Sequence, residues 1–207
     1  MVNTPNFSKE KIFDIIKENN AHYLDLLFDS QFFLLNSLYK SYKNLESGSL
    51  VLYFSKKTQQ SILRKRENNL ESNISLANFW YNNNTTKNIY SSFNDISIEL
   101  GLPKETIRRK VLSLIRLKVL KKSKKDIFLS PNVYFQNHYS DHVILEINKT
   151  SKIINYIANK LNISFTPDEL NLEIKKNFSF YWFHYLQAEI NFLKTWNKKL
   201  KDLEFLM

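Results

Sequence analysis

Two glycines, Gly48 and Gly101, serve a chain of 207 residues. Phosphate-cradling loops, dinucleotide-binding folds and β-rich barrels place several residues at positive φ, where glycine alone carries no Cβ penalty. A chain with only two glycines can build few such turns. It is therefore expected to be mainly α-helical, and the common nucleotide-binding enzymes are disfavoured. Hydrophobic residues at 43% and aromatics at 14% suffice for a sizeable core. The absence of cysteine excludes disulfides and thiolate metal sites and suits a reducing compartment. The opening residues lack the positive start, apolar run and small-residue cleavage site of a signal peptide. No uncharged apolar run of about 18 residues occurs either, so the expected location is the cytoplasm, with no membrane partner.

Hydrophobic spacing divides the chain into helical stretches. Ser8 to Glu18 reads as a short amphipathic helix through Ile12, Phe13, Ile15 and Ile16, with Asn19-Asn20 as its stop. Leu24, Leu27, Phe28, Gln31, Leu34, Leu35, Leu38, Tyr42 and Leu45 recur at three- and four-residue steps, which predicts a long helix ending at Gly48 as its C-cap. A third helix is expected from Ser49 to about Asn68, burying Leu50, Val51, Tyr53, Phe54, Ile62 and Leu63. Its cations Lys56, Lys57, Arg64, Lys65 and Arg66 are expected on a solvated face near the helix C-terminus, with supporting phosphate contact as the alternative. Ile74 to Tyr81 reads as the first helix of a following unit, and Asn82 to Asn88 as a loop. After a break at Pro131-Asn132, a new helical period starts near Asp141 with Val143, Ile144, Ile147, Ile154, Ile157 and Leu161. Pro167 sits where a helix start tolerates it. Phe178 to Phe205 carries Trp182, Leu186, Ile190, Leu193, Trp196, Leu200 and Leu203 along one side of a long terminal helix, as core or subunit interface.

Charge is concentrated in one place. Between Gly101 and Lys125 ten basic residues face one acid, Glu105, a net +9 within a chain of +10 overall. A near-neutral body with one cationic element suits a protein that docks one surface on a polyanion. Just before that stretch, Ser92 and Asp95 form a capping-box pattern. Ile96 and Leu100 then face inward, and Gly101 allows a tight turn. Pro103 leads into a second helix whose apolar face is Ile107, Val111, Leu114 and Ile115, which turns Lys104, Glu105, Arg108 and Arg109 outward as candidate readers of major-groove base edges. Lys121, Lys122, Lys124 and Lys125, between the apolar runs Val119-Leu120 and Ile127 to Leu129, suggest a β-hairpin with a basic tip suited to phosphate.

The run GLPKETIRRKVLSLIRLKVL resembles the helix-turn-helix of the Crp/Fnr-type winged-helix transcription regulators, over about 40 of the 207 residues. Gly101, Glu105, Thr106 and Arg109 match that pattern, and Lys104 is a basic equivalent. The resemblance implies base reading by Lys104, Glu105 and Arg109 and phosphate contact by Thr106. Pro103 departs from it by removing a capping hydroxyl, and Lys110 stands where an apolar residue is expected. The family's glycine-bearing cyclic-nucleotide barrel has no counterpart, so no effector is carried over.

Other constellations are weaker. His138 and His142 stand four apart beside Asp141, but the HExxH glutamate and any nearby cysteine are missing, so no metal is expected. Asp25 and Asp29 read as surface acids or interface ion pairs rather than an acid/base couple. The expectation is therefore a non-enzymatic protein without a cofactor. Its fold class is mainly α, with a winged helix-turn-helix domain carrying a small β wing, flanked by N- and C-terminal helices. The divisions are an N-terminal helical region (1–70), the DNA-binding domain (71–135) and a C-terminal helical region (136–207) that dimerises. The expected function is a sequence-specific transcription regulator that binds double-stranded DNA as a homodimer. Alternatives are a DNA-binding replication or partition factor, and a winged-helix protein-interaction module that does not touch DNA.

Overall fold

The computed structural model describes residues 8–67, 74–83, 91–123 and 126–206. The chain starts with α1 (Lys9–Glu18), whose cap Ser8 accepts from the Lys11 amide at 3.2 Å. Asn19 closes it, and α2 (Asn20–Tyr42) follows at once. Lys43 ends α2 by turning left-handed at φ 71°, with its amide on the Tyr39 carbonyl. Asn44 then accepts from the Ser47 amide at 2.8 Å and opens α3 (Leu45–Glu67). Gly48 is therefore not the C-cap of α2. It lies inside α3, where an added Cβ would stand 2.8 Å from the Leu38 Cβ. Its role is the close approach of α2 and α3.

Every residue from Ser47 to Lys56 of α3 is buried. A helix buried on all sides belongs at the centre of a protein, and α3 is packed by its neighbours all round. Those neighbours are α2, α5 (Phe93–Leu100), α6 (Lys104–Arg116), the second strand of a hairpin and the terminal helix α9 (Phe178–Leu200). The hairpin pairs β1 (Leu120–Ser123) with β2 (Asp126–Leu129) in antiparallel register, Leu120 opposite Leu129 and Lys122 opposite Ile127. α4 (Phe79–Asn83) precedes α5, and α7 (Val133–Lys160) and α8 (Pro167–Lys176) precede α9. Among the described residues this is a mainly α protein with nine helices and one two-stranded hairpin. None of these helices is long and apolar enough to cross a membrane. A single buried cluster runs from Leu34 to Leu203, through all three stretches into which the sequence divides.

Polar groups on α3 are satisfied locally. Ser49 donates to the Leu45 carbonyl at 2.8 Å and Thr58 to the Phe54 carbonyl at 2.9 Å. The Leu45 amide donates to the Glu204 carboxylate at 3.1 Å, so the C-terminal end of the chain closes the start of α3. Lys56 is buried rather than solvated, in contact with Glu99 of α5 and donating to Gln187 of α9 at 2.9 Å. Arg64 is exposed, as a solvated cation should be, while the side chains of Lys65 and Arg66 lie outside the described ones.

Two further expectations change. Phe79 does not start the following unit; its ring packs against Tyr139 and Phe178, within an aromatic cluster that includes Trp80 and Trp182. The helix that packs on α5 and α6 is α3. And α7 starts at Val133, well before Asp141, because Asn132 caps it by accepting from the Phe135 amide at 3.2 Å. The apolar stripe of α9 is core: Phe178, Trp182, Leu186, Ile190 and Leu193 are all buried.

Between α2, α7 and α9 lies a polar core that no local spacing announces. Glu146 and Glu189 are both buried; Glu146 accepts from the Tyr185 hydroxyl at 2.8 Å and Glu189 from Gln31 at 2.8 Å. Burial pushes Glu146 up to about 8, with neighbouring Glu189 and Asp29 adding to the rise against Tyr185 and Lys149. Burial likewise pushes Glu189 up to about 7, opposed by Gln31. Glu146 is thus mostly protonated at neutral pH and Glu189 is near its midpoint there, and the second oxygen of each lacks a hydrogen-bond partner among the described residues. His138 and His142 meet Ser41 and Ser37 of α2 at 2.8 Å each, and no cluster of three metal-ligating side chains exists among the described residues.

Two measurements check this packing. Gly48→Ala is expected to destabilise the protein by about 1 kcal/mol in urea unfolding, because overpacking of about 1–3 kcal/mol exceeds the helix-propensity gain of about 1 kcal/mol. The raised carboxyls contribute stability that is complete below their ordinary value of 4.5 and is lost as pH rises through about 7 and 8. Unfolding midpoints are therefore expected to fall between pH 6.5 and 8, a window bounded by His142, which burial depresses to about 4, and Lys56, depressed to about 8. In the Glu146→Gln/Glu189→Gln variant that slope is expected to disappear.

Candidate nucleic-acid interface

The cationic stretch folds as two helices, a three-residue turn and the hairpin. Ser92 caps α5 by accepting from the Asp95 amide at 3.1 Å, and the Asp95 carboxylate accepts from the Ser92 amide at 3.2 Å. The Ser92 hydroxyl, which donates to the Asp95 carboxylate at 2.7 Å, and the Ser92 amide together hold that carboxyl below its ordinary range. Gly101 closes α5 in the left-handed region at φ 70°, its amide on the Ser97 carbonyl. The Ser97 hydroxyl donates to the Leu102 carbonyl at 2.6 Å, which ties the turn back onto α5. Leu102 is buried beneath it.

Two side chains of α9 hold the same turn from outside. Asn197 donates to the Gly101 carbonyl at 3.0 Å and Lys194 to the Ile98 carbonyl at 2.8 Å. These are carbonyls that a helix end leaves without intrahelical partners. The terminal helix is thereby a clamp on the turn, a role that its own aromatic periodicity does not disclose.

α6 buries Ile107, Val111 and Leu114 and turns Lys104, Glu105, Arg108 and Arg109 into solvent, while Thr106 is half-buried. Pro103 provides no side-chain cap. Lys110, which stands at an apolar position, is half-buried and reaches Glu46 of α3 at 2.9 Å. The stem covers apolar surface and the charge finds a partner, so the helix keeps its apolar face without rotation. Its charge is thus already engaged. Glu105 and Arg108 pair through two bonds of 2.7 and 2.9 Å, a fork that lowers the Glu105 carboxyl and raises the Arg108 guanidinium. Lys104 and Arg109 make no ion pair among the described residues.

Lys118 takes a left-handed conformation at φ 59° and redirects the chain from α6 into β1. Leu120, Ile127 and Leu129 anchor the hairpin in the core, which leaves Lys121 and Lys122 exposed on β1. Lys124 and Lys125, at the expected basic tip, lie outside the described residues. The structure therefore gathers Lys104, Arg108, Arg109, Arg116, Lys118, Lys121 and Lys122 as exposed cations on consecutive elements. The pairs behind them, Glu46 with Lys110 and Glu99 with Lys56 and Lys57, brace α6 and α5 against α3.

No family model, no curated protein and no solved structure matches this chain. Its function has to be read from the geometry just described.

Asn197→Ala is expected to cost about 1 kcal/mol of stability. It is also expected to speed exchange of the Gly101 amide more than that of amides in the middle of α3. Hydrogen exchange followed residue by residue checks both the cost and its location.

Proposed function

We propose that the chain is a sequence-specific transcription regulator that binds double-stranded DNA through a winged helix-turn-helix and acts as a homodimer. In this reading α5 supports, α6 enters the major groove and the hairpin is the wing. The observation that carries it is the exposed side of α6, where Lys104, Glu105, Arg108 and Arg109 project from a helix fixed by Ile107, Val111 and Leu114, with Lys121 and Lys122 on the strand that follows. Arginine and lysine donate to guanine O6 and N7, and a carboxylate accepts from cytosine N4. Thr106 and the hairpin lysines are assigned to phosphate. Lysines on a strand beside the recognition helix add affinity without adding sequence information.

The Glu105–Arg108 fork fits this chemistry. In the free protein it holds both side chains in a set geometry, and opening it lets the carboxylate and the guanidinium address different bases. Remaining in place, it keeps Arg108 from binding phosphates at random. Neither role requires a cofactor, and the reading is non-enzymatic. The buried carboxyls Glu146 and Glu189 lie in the core, away from this face.

Binding of duplex DNA across a salt series is expected to show a log-log slope of about −0.9 per phosphate contacted. Arg109→Ala is expected to cost about 1–3 kcal/mol on the preferred sequence and to flatten discrimination. Lys122→Ala is expected to weaken all sequences alike and to reduce the slope by about one contact. A slope near zero, or no binding to genomic fragments at low salt, contradicts the proposal.

A further inference from the structure

Of the apolar stripes that the sequence offers for self-association, that of α9 is occupied, and that of α7 is buried at Val143 and Ile147 and exposed at Ile144 and Ile154. Trp182, Leu186, Ile190 and Leu193 of α9, with Val143 and Ile147 of α7, all face the chain's own core. Among the described residues an apolar strip is exposed on α2, and Phe13 is exposed on α1. Leu24, Phe28, Phe32 and Tyr39 of α2 are 39, 65, 60 and 41% exposed, and Phe13 of α1 is 64% exposed. Steps of four and seven keep Phe28, Phe32 and Tyr39 on one side of that helix, away from the buried Leu34 and Leu38, while Leu24 stands at the edge of that side, in line with the buried Leu35 and Tyr42. Beside them Leu145 of α7 is also exposed, between His142, stacked on Phe33, and Lys149, paired with Asp29.

α1 itself has an amphipathic pattern in Ile12, Phe13, Ile15 and Ile16, yet none of its ten residues is buried. An isolated helix shorter than about 12–15 residues is marginal in water. The five exposed side chains of α1 and α2 leave on the order of 500 Å² of apolar surface per copy, as much as the largest patch of an ordinary monomer. A standard interface covers about 800 Å² per partner, a size that this strip and a polar rim can reach.

We infer that the α1–α2 face is a twofold interface with a second copy of this chain, in which the two α2 helices pair antiparallel. Charge selects this occupant. Along one flank of the strip Asp25 and Asp29 lie in the N-terminal half of α2 and Lys40 in its C-terminal half. Asp29 already holds Lys149, which leaves Asp25 and Lys40 for the second copy. Reversing one helix on the other brings Asp25 level with Lys40 of the partner subunit and the two Phe32 rings close to the axis. A parallel pairing sets each charge level with its own copy and brings no opposite charges together. The inference rests on the dimeric part of the proposed function and gives it a location. α2 contributes none of the cations assigned to DNA, so both surfaces can be used at once.

Sedimentation equilibrium of the full chain without DNA tests it. The wild type is expected at twice the chain mass of 24.7 kDa. Phe28→Glu/Phe32→Glu is expected at the chain mass, with an unchanged circular dichroism spectrum. Asp25→Lys and Lys40→Asp are each expected to weaken the dimer about tenfold, since each converts two attractive contacts into two repulsive ones. The combined charge swap is expected to restore it. A monomeric wild type, or a dimer indifferent to both the phenylalanine and the charge variants, overturns the interface. DNA binding is read separately by its salt slope: a monomer that still binds duplex with a steep slope removes the interface alone, and a dimer with no slope removes the DNA reading alone.

Discussion

The burial of Ser47 to Lys56 of α3 on every side is the constraint on which the rest of this structure depends. A helical stretch with no solvent face cannot be placed until its neighbours are, and the neighbours of α3 include both helices and the second strand of the proposed DNA-reading unit, together with α2 and α9. The Leu45 amide on Glu204 and the Lys56 ammonium on Glu99 and Gln187 extend that dependence from one end of the sequence to the other. Ser55 of α3, Tyr139 of α7 and Trp182 of α9 form a further hydrogen-bonded line through the core. What looks in sequence like a small binding unit with helical additions is held as one body.

That arrangement separates the charges by their work. Lys56, Lys57 and Lys110 are engaged by Glu99 and Glu46, and Arg108 by Glu105. The partly buried pairs on Glu99 and Glu46 lose much when one member is removed, because the other is left desolvated without a partner, whereas the Glu105–Arg108 pair is exposed and contributes little to stability. Lys104, Arg109, Arg116, Lys118, Lys121 and Lys122 are exposed and make no ion pair among the described residues. The high positive charge of the stretch therefore overstates the charge available to an external anion. Under the proposed function, these six cations are the part of the footprint on a polyanion that the described residues supply.

The local elements of this fold were legible in the sequence. Ser8, Ser92 and Gly101 act where capping chemistry puts them, and the apolar face of α6 follows from Ile107, Val111 and Leu114. The hairpin is legible from its flanking apolar runs, and α8 from the proline at its start, reinforced by a Thr166 and Glu169 capping box. Long-range placement was not. Gly48 looks like a helix end, and only the crossing of α2 reveals a close approach. Asn44 and Lys43 instead supply the end and the restart, through a side-chain cap and a left-handed turn that many asparagines and lysines never make. The start of α7 is hidden because Gln136, Asn137, His138 and Asp141 interrupt the stripe of Phe135, Tyr139 and Val143. Glu146 and Glu189 come together from separate helices, and no spacing within either helix marks a carboxyl for burial. For the candidate interface, the exposed side of α6 was legible, whereas the partners of Lys110 and the clamp by Lys194 and Asn197 require the tertiary structure.

Under the proposed function, α6 reads base edges in the major groove. Methylation interference on duplexes selected from genomic DNA tests it most directly, because methyl groups at guanine N7 project into the major groove. The account predicts that modification at N7 of particular guanines abolishes binding, and that Arg109→Ala removes this sensitivity at one of those positions. Binding that is indifferent to N7 methylation throughout the selected site would contradict it.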